Sequence, residues 1–322
     1  MKNKETVCAV VVTYNRKELL LECLEALLNQ THPIDALYLI DNASTDNTPE
    51  LLLEEGYITQ LPPENINKAW ELEINSFETD KIKNITFKNR TIKLYYVRMH
   101  QNTGGAGGFY EGVKRGYQKG YDWLWLMDDD AEAQITTLKE LISFKYASKA
   151  SFLAPQVIHK SIKGHTEYYH HKTKIDLRKL KEHNLKGKNL DEEYYSLEAN
   201  GFVGPLLNSK AIQKLNSFPD ESFFIWWDDT DYTYSLFKSY GKGYLVTKAI
   251  LFHKDIIPNV TTMKIDWKYY YGVRNKIRFF KKHVDVIGYL VLSFQTIKIF
   301  LRNFNRLDKK KLFEYSIKEL LS

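Results

Sequence analysis

The chain has 322 residues, of which 43% are hydrophobic and 27% charged, an ordinary globular composition that suits one large domain with a smaller appendage. Its two cysteines, Cys8 and Cys23, fall in an expected strand and an expected helix without a partner motif, which excludes a disulfide framework or a zinc site and suits a reducing, cytoplasmic compartment. The net charge of +6 is uneven: from Lys264 to the end there are 14 Lys and Arg against 5 Asp and Glu, so the remainder is slightly acidic and the last segment calls for an anionic partner or surface.

A short charged leader, Met1 to Glu5, runs into the strand pattern Val7 to Val12 with no apolar signal segment. This β-branched run reads as a buried parallel strand that ends at Thr13-Tyr14-Asn15-Arg16. Leu19, Leu20, Cys23, Leu24, Leu27 and Leu28 repeat at helical spacing, Thr31-His32-Pro33 stops them, and a second strand, Ala36 to Ile40, delivers Asp41-Asn42-Ala43-Ser44-Thr45-Asp46. Strand, helix, strand at this spacing predicts an α/β fold with an open, mostly parallel sheet, whose ligands bind beyond the carboxyl ends of the strands. Residues 62 to 90 are polar and weakly periodic, and read as an insertion or flap outside the core. A strand from Leu94 to Arg98, the glycine loop Asn102 to Phe109, a helix through Tyr117 and a strand from Trp123 to Met127 follow. The Lys-, His- and Tyr-rich stretch from 160 to 193 reads as a second excursion before Ala199 to Leu207 re-enters the core. The expected division is a catalytic domain over 1–263, with insertions at about 57–92 and 160–195, and a helical segment over 264–322.

Three constellations carry chemistry. Strand Trp123 to Met127 terminates in Asp128-Asp129-Asp130, and alternation puts Asp128 and Asp130 on one face, where hard divalent cations find oxygen ligands. The alternative is an acidic cap on the next helix. Gly104-Gly105-Ala106-Gly107-Gly108 lacks the Gly-x-Gly-x-x-Gly dinucleotide fingerprint, which excludes a dehydrogenase of that type, but lets a backbone approach a phosphate or sugar. In Phe223-Phe224-Ile225-Trp226-Trp227-Asp228-Asp229-Thr230-Asp231 aromatic planes suited to a sugar face adjoin carboxylates suited to general-base work, with a capped helix as the alternative. His253, which follows the strand Gly243 to Phe252, is a core imidazole or a third metal ligand.

Taken together, Val10-Val11-Val12-Thr13-Tyr14-Asn15-Arg16, Asp41-Asn42-Ala43-Ser44-Thr45-Asp46, the acidic strand end and the later acid pair resemble family 2 glycosyltransferases with a GT-A fold, over roughly residues 7 to 275. Asn102 to Phe109, Asp128-Asp129-Asp130, Trp226-Trp227-Asp228-Asp229 and His253 are most similar to the galactofuranosyltransferase branch. The resemblance implies an inverting, metal-dependent transferase using Mn²⁺ or Mg²⁺ and a nucleotide-sugar donor such as UDP-galactofuranose. It implies that Asp41 and Asn42 contact the nucleobase, that Thr13, Arg16, Asn102, Gly104, Gly105 and Asp129 line the donor site, and that Asp128, Asp130 and His253 ligate the metal. Asp229 would be the general base with Asp228 beside it orienting the acceptor, or the two adjacent acids would exchange those roles, and Trp226 and Trp227 would build the sugar pocket. A rhamnosyl- or N-acetylhexosaminyl-transferase is the alternative within the fold. The acceptor implied is a glycan or a polyprenyl-linked glycan used in cell-surface polysaccharide assembly, such as a capsule or O-antigen.

Tyr269 to Lys276 also resembles a segment that follows the catalytic core in this family. Beyond it, Val286 to Leu301 is interrupted by Gln295 and Lys298, too short and polar to span a membrane. Basic residues interleaved with apolar ones suit an amphipathic helix on the inner membrane face, and packing on the catalytic domain or on a second subunit is the alternative. A nucleic-acid-binding module is disfavoured, because the positive charge is confined to the tail while the cleft is acidic. A non-catalytic scaffold at the membrane is the remaining rival.

Overall fold

The computed structural model describes residues 5–160, 166–186, 190–254, 267–304 and 307–322; most of the leader and the first residues of the basic segment lie outside them. The elements run β1 (Val7–Thr13), α1 (Lys17–Leu28), β2 (Ala36–Asp41), α2 (Thr48–Glu54), β3 (Trp70–Glu78), β4 (Thr91–Arg98), α3 (Gly104–Gln118), β5 (Trp123–Asp128), β6 (Ala131–Ala133) and α4 (Thr137–Ile142). They continue with β7 (Phe152–His159), β8 (His171–Asp176), β9 (Lys181–Asn184), β10 (Tyr194–Leu197), β11 (Ala199–Asn200), β12 (Leu206–Asn208), α5 (Ser209–Leu215), α6 (Asp228–Tyr240) and β13 (Gly243–His253). The chain then forms α7 (Trp267–His283), α8 (Val286–Asn303), α9 (Lys309–Phe313) and α10 (Glu319–Leu321).

Among the described residues, one ten-stranded mixed sheet has the order β10-β13-β7-β12-β5-β1-β2-β4-β3, with β6 added against β13. Every residue of β1 and β2 is buried, as expected for central strands covered on both faces. The parallel registers place Thr13 opposite Asp41, and Val12 opposite Asp128, so β1, β2 and β5 end together at one edge. Straight after Asp130, β6 pairs antiparallel with β13, with Ala131 opposite His253. That pairing brings a residue more than a hundred positions away beside the acidic strand end.

The glycine loop expected before α3 is the first turn of α3 itself. A Cβ on Gly108, Gly112 or Gly116 would stand 2.5, 2.3 or 2.8 Å from side-chain atoms of Val12, Val10 and Leu124. This four-residue spacing forms a flat ridge along which the helix lies close on β1 and β5.

Residues 62 to 90, expected outside the core, instead complete its edge: β3 pairs antiparallel with β4, and Phe77, Ile82 and Ile85 are buried. The weak periodicity has a cause. An edge strand has a neighbour on one side only, so β3 is mostly half-buried or exposed, and its register slips between Ile74 and Phe77. The second excursion supplies β8 and β9, which form a separate three-stranded sheet with β11, the start of the stretch expected to re-enter the core. The last segment packs onto the rest of the chain, with Ile277, Phe279, Phe280, Leu292 and Leu320 forming one apolar cluster with Ile175, Leu180, Ala199 and Tyr234.

Candidate active site

Asp129 and Asp130 are buried at the end of β5. Asp129 Oδ2 accepts from the Thr13 hydroxyl at 2.8 Å and from the Tyr14 amide at 3.3 Å, while Arg16 Nη1 lies 3.4 Å from Asp129 Oδ1 and 2.5 Å from Asp130 Oδ2. Asp129 therefore ties the β1 loop to the acidic strand end, and Arg16 partly neutralises it. Burial, and then the charges of Asp130 and Asp129, push the Asp128 carboxyl up to about 8.

His253 Nε2 stands 3.3 Å from Asp130 Oδ1, and its Nδ1 donates to Glu167 Oε2 at 2.8 Å. Glu167 Oε2 also accepts from His170 Nε2 at 2.9 Å. Burial would lower the basicity of His253, but the hydrogen bonds and charges of Asp130 and Glu167 overcome it and push the imidazole up to about 10. Asp130 Oδ1 is buried and meets His253 Nε2 only at the ion-pair distance of 3.3 Å, with no hydrogen bond of good geometry among the described residues. A buried carboxylate oxygen loosely facing a carboxylate-oriented imidazole suits an oxygen- and nitrogen-liganded divalent cation. Glu167, His170 and His253 also bring one donor atom each within 4.8 Å of one another. Glu167 and His170 escaped the sequence reading because they lie in the stretch taken as an excursion; the His-rich run His165 to His171 was the available signal.

Asp41 is wholly buried, and both its oxygens are engaged: Oδ1 by the Ser44 amide at 2.8 Å, Oδ2 by Tyr96 OH at 2.8 Å and Arg98 Nη1 at 2.5 Å. Asn42 is equally internal. Its Oδ1 accepts from Thr103 N and Oγ1, both at 3.0 Å, and its Nδ2 donates to Gly104 O at 2.9 Å and Asn102 Oδ1 at 3.1 Å. The two residues expected to touch a nucleobase thus stand beneath the cleft and brace its loops, because their polar atoms are consumed by backbone and neighbouring side chains. Above them a cavity of about 940 Å³ opens between Ser44, Thr45, Leu61, Asn65, Arg98 and His100, so part of the presumed flap walls it.

Asn102 is exposed at the mouth of α3 and its Oδ1 accepts from Gly104 N at 2.8 Å. Gly104 has φ +71°, and a Cβ there would stand 1.9 Å from the Phe224 carbonyl oxygen; a Cβ on Gly105 would meet nothing within 4 Å. Gly104 is thereby a packing glycine, and Gly105 is the one that faces open space.

The Phe223 to Asp229 loop is strained: Phe224, Trp226 and Trp227, all bulky, have φ of +65°, +63° and +71°. Each such residue costs about 1–3 kcal/mol. The twist sets Asp228 and Asp229 in the first turn of α6. Asp229 Oδ1 accepts from Thr230 N at 2.5 Å and Thr230 Oγ1 at 3.1 Å, while Oδ2 lies 3.3 Å from where a Cβ on Gly201 would stand. His170 Nδ1 lies 2.8 Å from the same point, so the second carboxylate cluster adjoins the histidine group across Gly201. Asp228 is buried, and burial, then Asp229, raises its pKa well above the usual range. Trp226 is 42% exposed, as a stacking platform requires, but Trp227 packs on Phe279 and Phe280 at 5.2 and 5.9 Å between centroids. Trp227 therefore belongs to the apolar junction with α7. A groove of about 340 Å³ runs there between Trp226, Trp227, Tyr269, Phe280, Leu292 and Ile299. Asp231, the third acid, binds Lys282 Nζ at 2.6 Å and His283 Nε2 at 2.9 Å and anchors α6 to α7.

The model of the glycosyl transferase family 2 matches residues 8–57 and 74–202 of this chain. A galactofuranosyltransferase, GlfT1, of Mycolicibacterium smegmatis is 31% identical over 158 residues, covering 49% of this chain and 41% of that protein. GlfT1 of Mycobacterium tuberculosis is 31% identical over 130 residues, covering 40% and 32% respectively. The match thus spans less than half the length of these relatives. Among solved structures, GalNAc-T7 with UDP, GalNAc and Mn²⁺ aligns at a TM-score of 0.61 and 16% identity over 98% of this chain and 57% of its own. S. aureus TarS 1-349 in complex with UDP-GlcNAc aligns at 0.54 and 12% identity over 85% and 66%. These likenesses establish the GT-A type of the sheet. With the family model matching more than half of its residues, the chain belongs to glycosyltransferase family 2.

Proposed function

We propose that this transferase moves galactofuranose from UDP-galactofuranose onto a glycan or polyprenyl-linked acceptor, with inversion at the anomeric carbon, in cell-surface polysaccharide assembly. The observation that carries the reading is the convergence, at one sheet edge, of Asp128 to Asp130, His253 and the Asp229 carboxylate across Gly201. The GlfT1 relatives supply the choice of sugar.

Asp128, Asp130 and His253 would hold Mn²⁺ or Mg²⁺, with Glu167 fixing the imidazole from behind. A bound divalent cation supplies positive charge to the departing nucleoside diphosphate. Arg16, already on the acids, can turn to the diphosphate, and the cavity between Ser44 and His100 takes the uridine. Gly105 leaves room at the start of α3 for the sugar, and Trp226 offers it a face. Asp229 Oδ2 accepts the proton of the acceptor hydroxyl as its oxygen attacks C1, and the C1–O bond to the diphosphate breaks on the opposite face. Asp228, whose pKa burial raises well above the usual carboxylate range, neighbours the base.

The catalytic unit spans 1–263, and the segment over 264–322 docks it on the inner membrane face. Among the described residues no helix is long and apolar enough to cross a membrane. The face of α8 bearing Ile287, Leu290, Phe294, Ile297 and Leu301 is exposed, Lys298 and Arg302 flank it, and Lys309 to Lys311 follow. The groove beside Trp226 would take the apolar part of a lipid-linked acceptor.

The test is turnover of UDP-galactofuranose, UDP-galactopyranose, UDP-GlcNAc and dTDP-rhamnose with and without Mn²⁺, in wild type and Asp229→Asn. Metal-dependent consumption of UDP-galactofuranose that collapses in the variant supports the reading. Another preferred donor discards the sugar, and a product of retained configuration discards the mechanism.

A further inference from the structure

The strained loop that carries Trp226 and the Asp228-Asp229 pair does not hold itself. Its carbonyls turn inward, toward α7. Asn275, which is wholly buried, donates from Nδ2 to Phe223 O at 2.9 Å, Ile225 O at 2.6 Å and Trp226 O at 3.0 Å. An amide has two N–H bonds, so one of them is shared between two carbonyls. The amide cannot simply turn over, because Arg274 Nε donates to Asn275 Oδ1 at 2.9 Å and thereby commits Nδ2 to the loop. Arg274 Nη2 adds Ser222 O at 2.8 Å and Phe223 O at 2.9 Å, and Arg278 Nη1 adds Ser222 O at 3.1 Å. On the other side the same loop is held by α3, whose Ala106 amide donates to Phe224 O at 3.2 Å.

We infer that Asn275, oriented by Arg274, is a positioning residue for catalysis: it fixes the backbone of Phe223 to Trp226 in the conformation that aims the Asp229 carboxylate and the Trp226 face into the donor cleft. Buried carbonyls in left-handed turns need donors, and no other described side chain supplies three of them at once. Without them the loop relaxes, and α6 starts in a different place. The second turn of α7 is brought close enough by Gly272, where a Cβ would stand 3.1 Å from Trp226 Cε3. The C-terminal segment thus shapes the active site from outside the matched family region, which ends at residue 202. This inference rests on the reading of Asp229 as the base.

The test compares wild type, Asn275→Asp, Arg274→Lys and Asp229→Asn with the best donor of the panel. Asn275→Asp keeps the shape and removes the donors; Arg274→Lys keeps the charge and removes the fork that orients Asn275. The expected result is a kcat lower by about 10- to 100-fold, the scale of a misplacement near 1 Å, with donor KM and UDP affinity within about two-fold. The ¹⁹F resonances of fluorotryptophan at Trp226 and Trp227 should move in both variants. A fall in kcat that is matched by loss of UDP affinity in both variants would reduce Asn275 to a structural residue. Unchanged kcat in folded Asn275→Asp, or in Arg274→Lys if the former does not fold, overturns the proposal. If Asp229→Asn keeps full activity, the failure lies instead in the assignment of the base.

Discussion

Glu167 stands behind His253: its Oε2 accepts from Nδ1 at 2.8 Å, so Nε2 is the ring atom that faces Asp130. A carboxylate in this position fixes the tautomer and the ring plane of a ligating imidazole. Glu167→Ala should weaken Mn²⁺ binding by about 10- to 100-fold. Titration of Mn²⁺ by calorimetry in the presence of UDP checks this; affinity unchanged by the substitution would remove Glu167 from the site's support.

Ligation requires His253 neutral and Asp128 ionised, whereas without a cation His253 is pushed up to about 10 and Asp128 up to about 8. Both are raised, so both hold protons near neutrality that a cation must displace. Binding should therefore release protons, and apparent Mn²⁺ affinity should rise as pH climbs from 6 toward 8. Calorimetry in buffers of different ionisation enthalpy reads the release directly; zero release at pH 7 contradicts the assignment of these ligands.

Gly201 separates the histidine group from Asp229, the proposed base. An added methyl would stand 2.8 Å from His170 Nδ1 and 3.3 Å from Asp229 Oδ2. Gly201→Ala should lower the rate of transfer by at least about ten-fold through displacement of one of these groups, while UDP binding persists. A variant with wild-type kcat would show that the space is not needed.

Arg98 is the cationic partner of Asp41 in an ion pair whose carboxylate has no solvent exposure. Arg98→Ala leaves that charge with Tyr96 and Ser44 alone and should destabilise the fold by about 3–5 kcal/mol. Urea unfolding measures it, and a loss below about 1 kcal/mol would mean that Asp41 takes up a proton instead.

The α8 face is the remaining test. Leu290, Phe294 and Leu301 are 64, 69 and 66% exposed on a single side of the helix. Replacing all three by Ser should abolish sedimentation with vesicles containing anionic phosphatidylglycerol and leave donor hydrolysis unchanged. Equal sedimentation of the variant points to a protein partner on that face.

Much of the centre was legible because it is local. Val7 to Val12, Ala36 to Ile40 and Trp123 to Met127 are apolar runs long enough to declare buried strands, and their ends carry the acids. The periphery was not, because its cues depend on partners: β3 shows a pattern only against β4, and Glu167, whose amide donates to Val157 O of β7, acquires meaning only when β7 pairs with β13. At Asp41, Asn42 and Trp227 the structure shows internal partners that residue type did not disclose. Residue type suggested contact with a ligand, but a side chain that fits a substrate equally fits the protein's own backbone or core, and here the protein claims it.

The ridge of Gly108, Gly112 and Gly116 lets α3 descend onto β1 and β5 to a depth that no side chain would permit. A signature that looks like a ligand motif is in large part an architectural one. Among homologues, replacement of Gly112 should therefore track the depth of a helix against its sheet, while replacement of Gly105 alone should track the bulk of the sugar admitted.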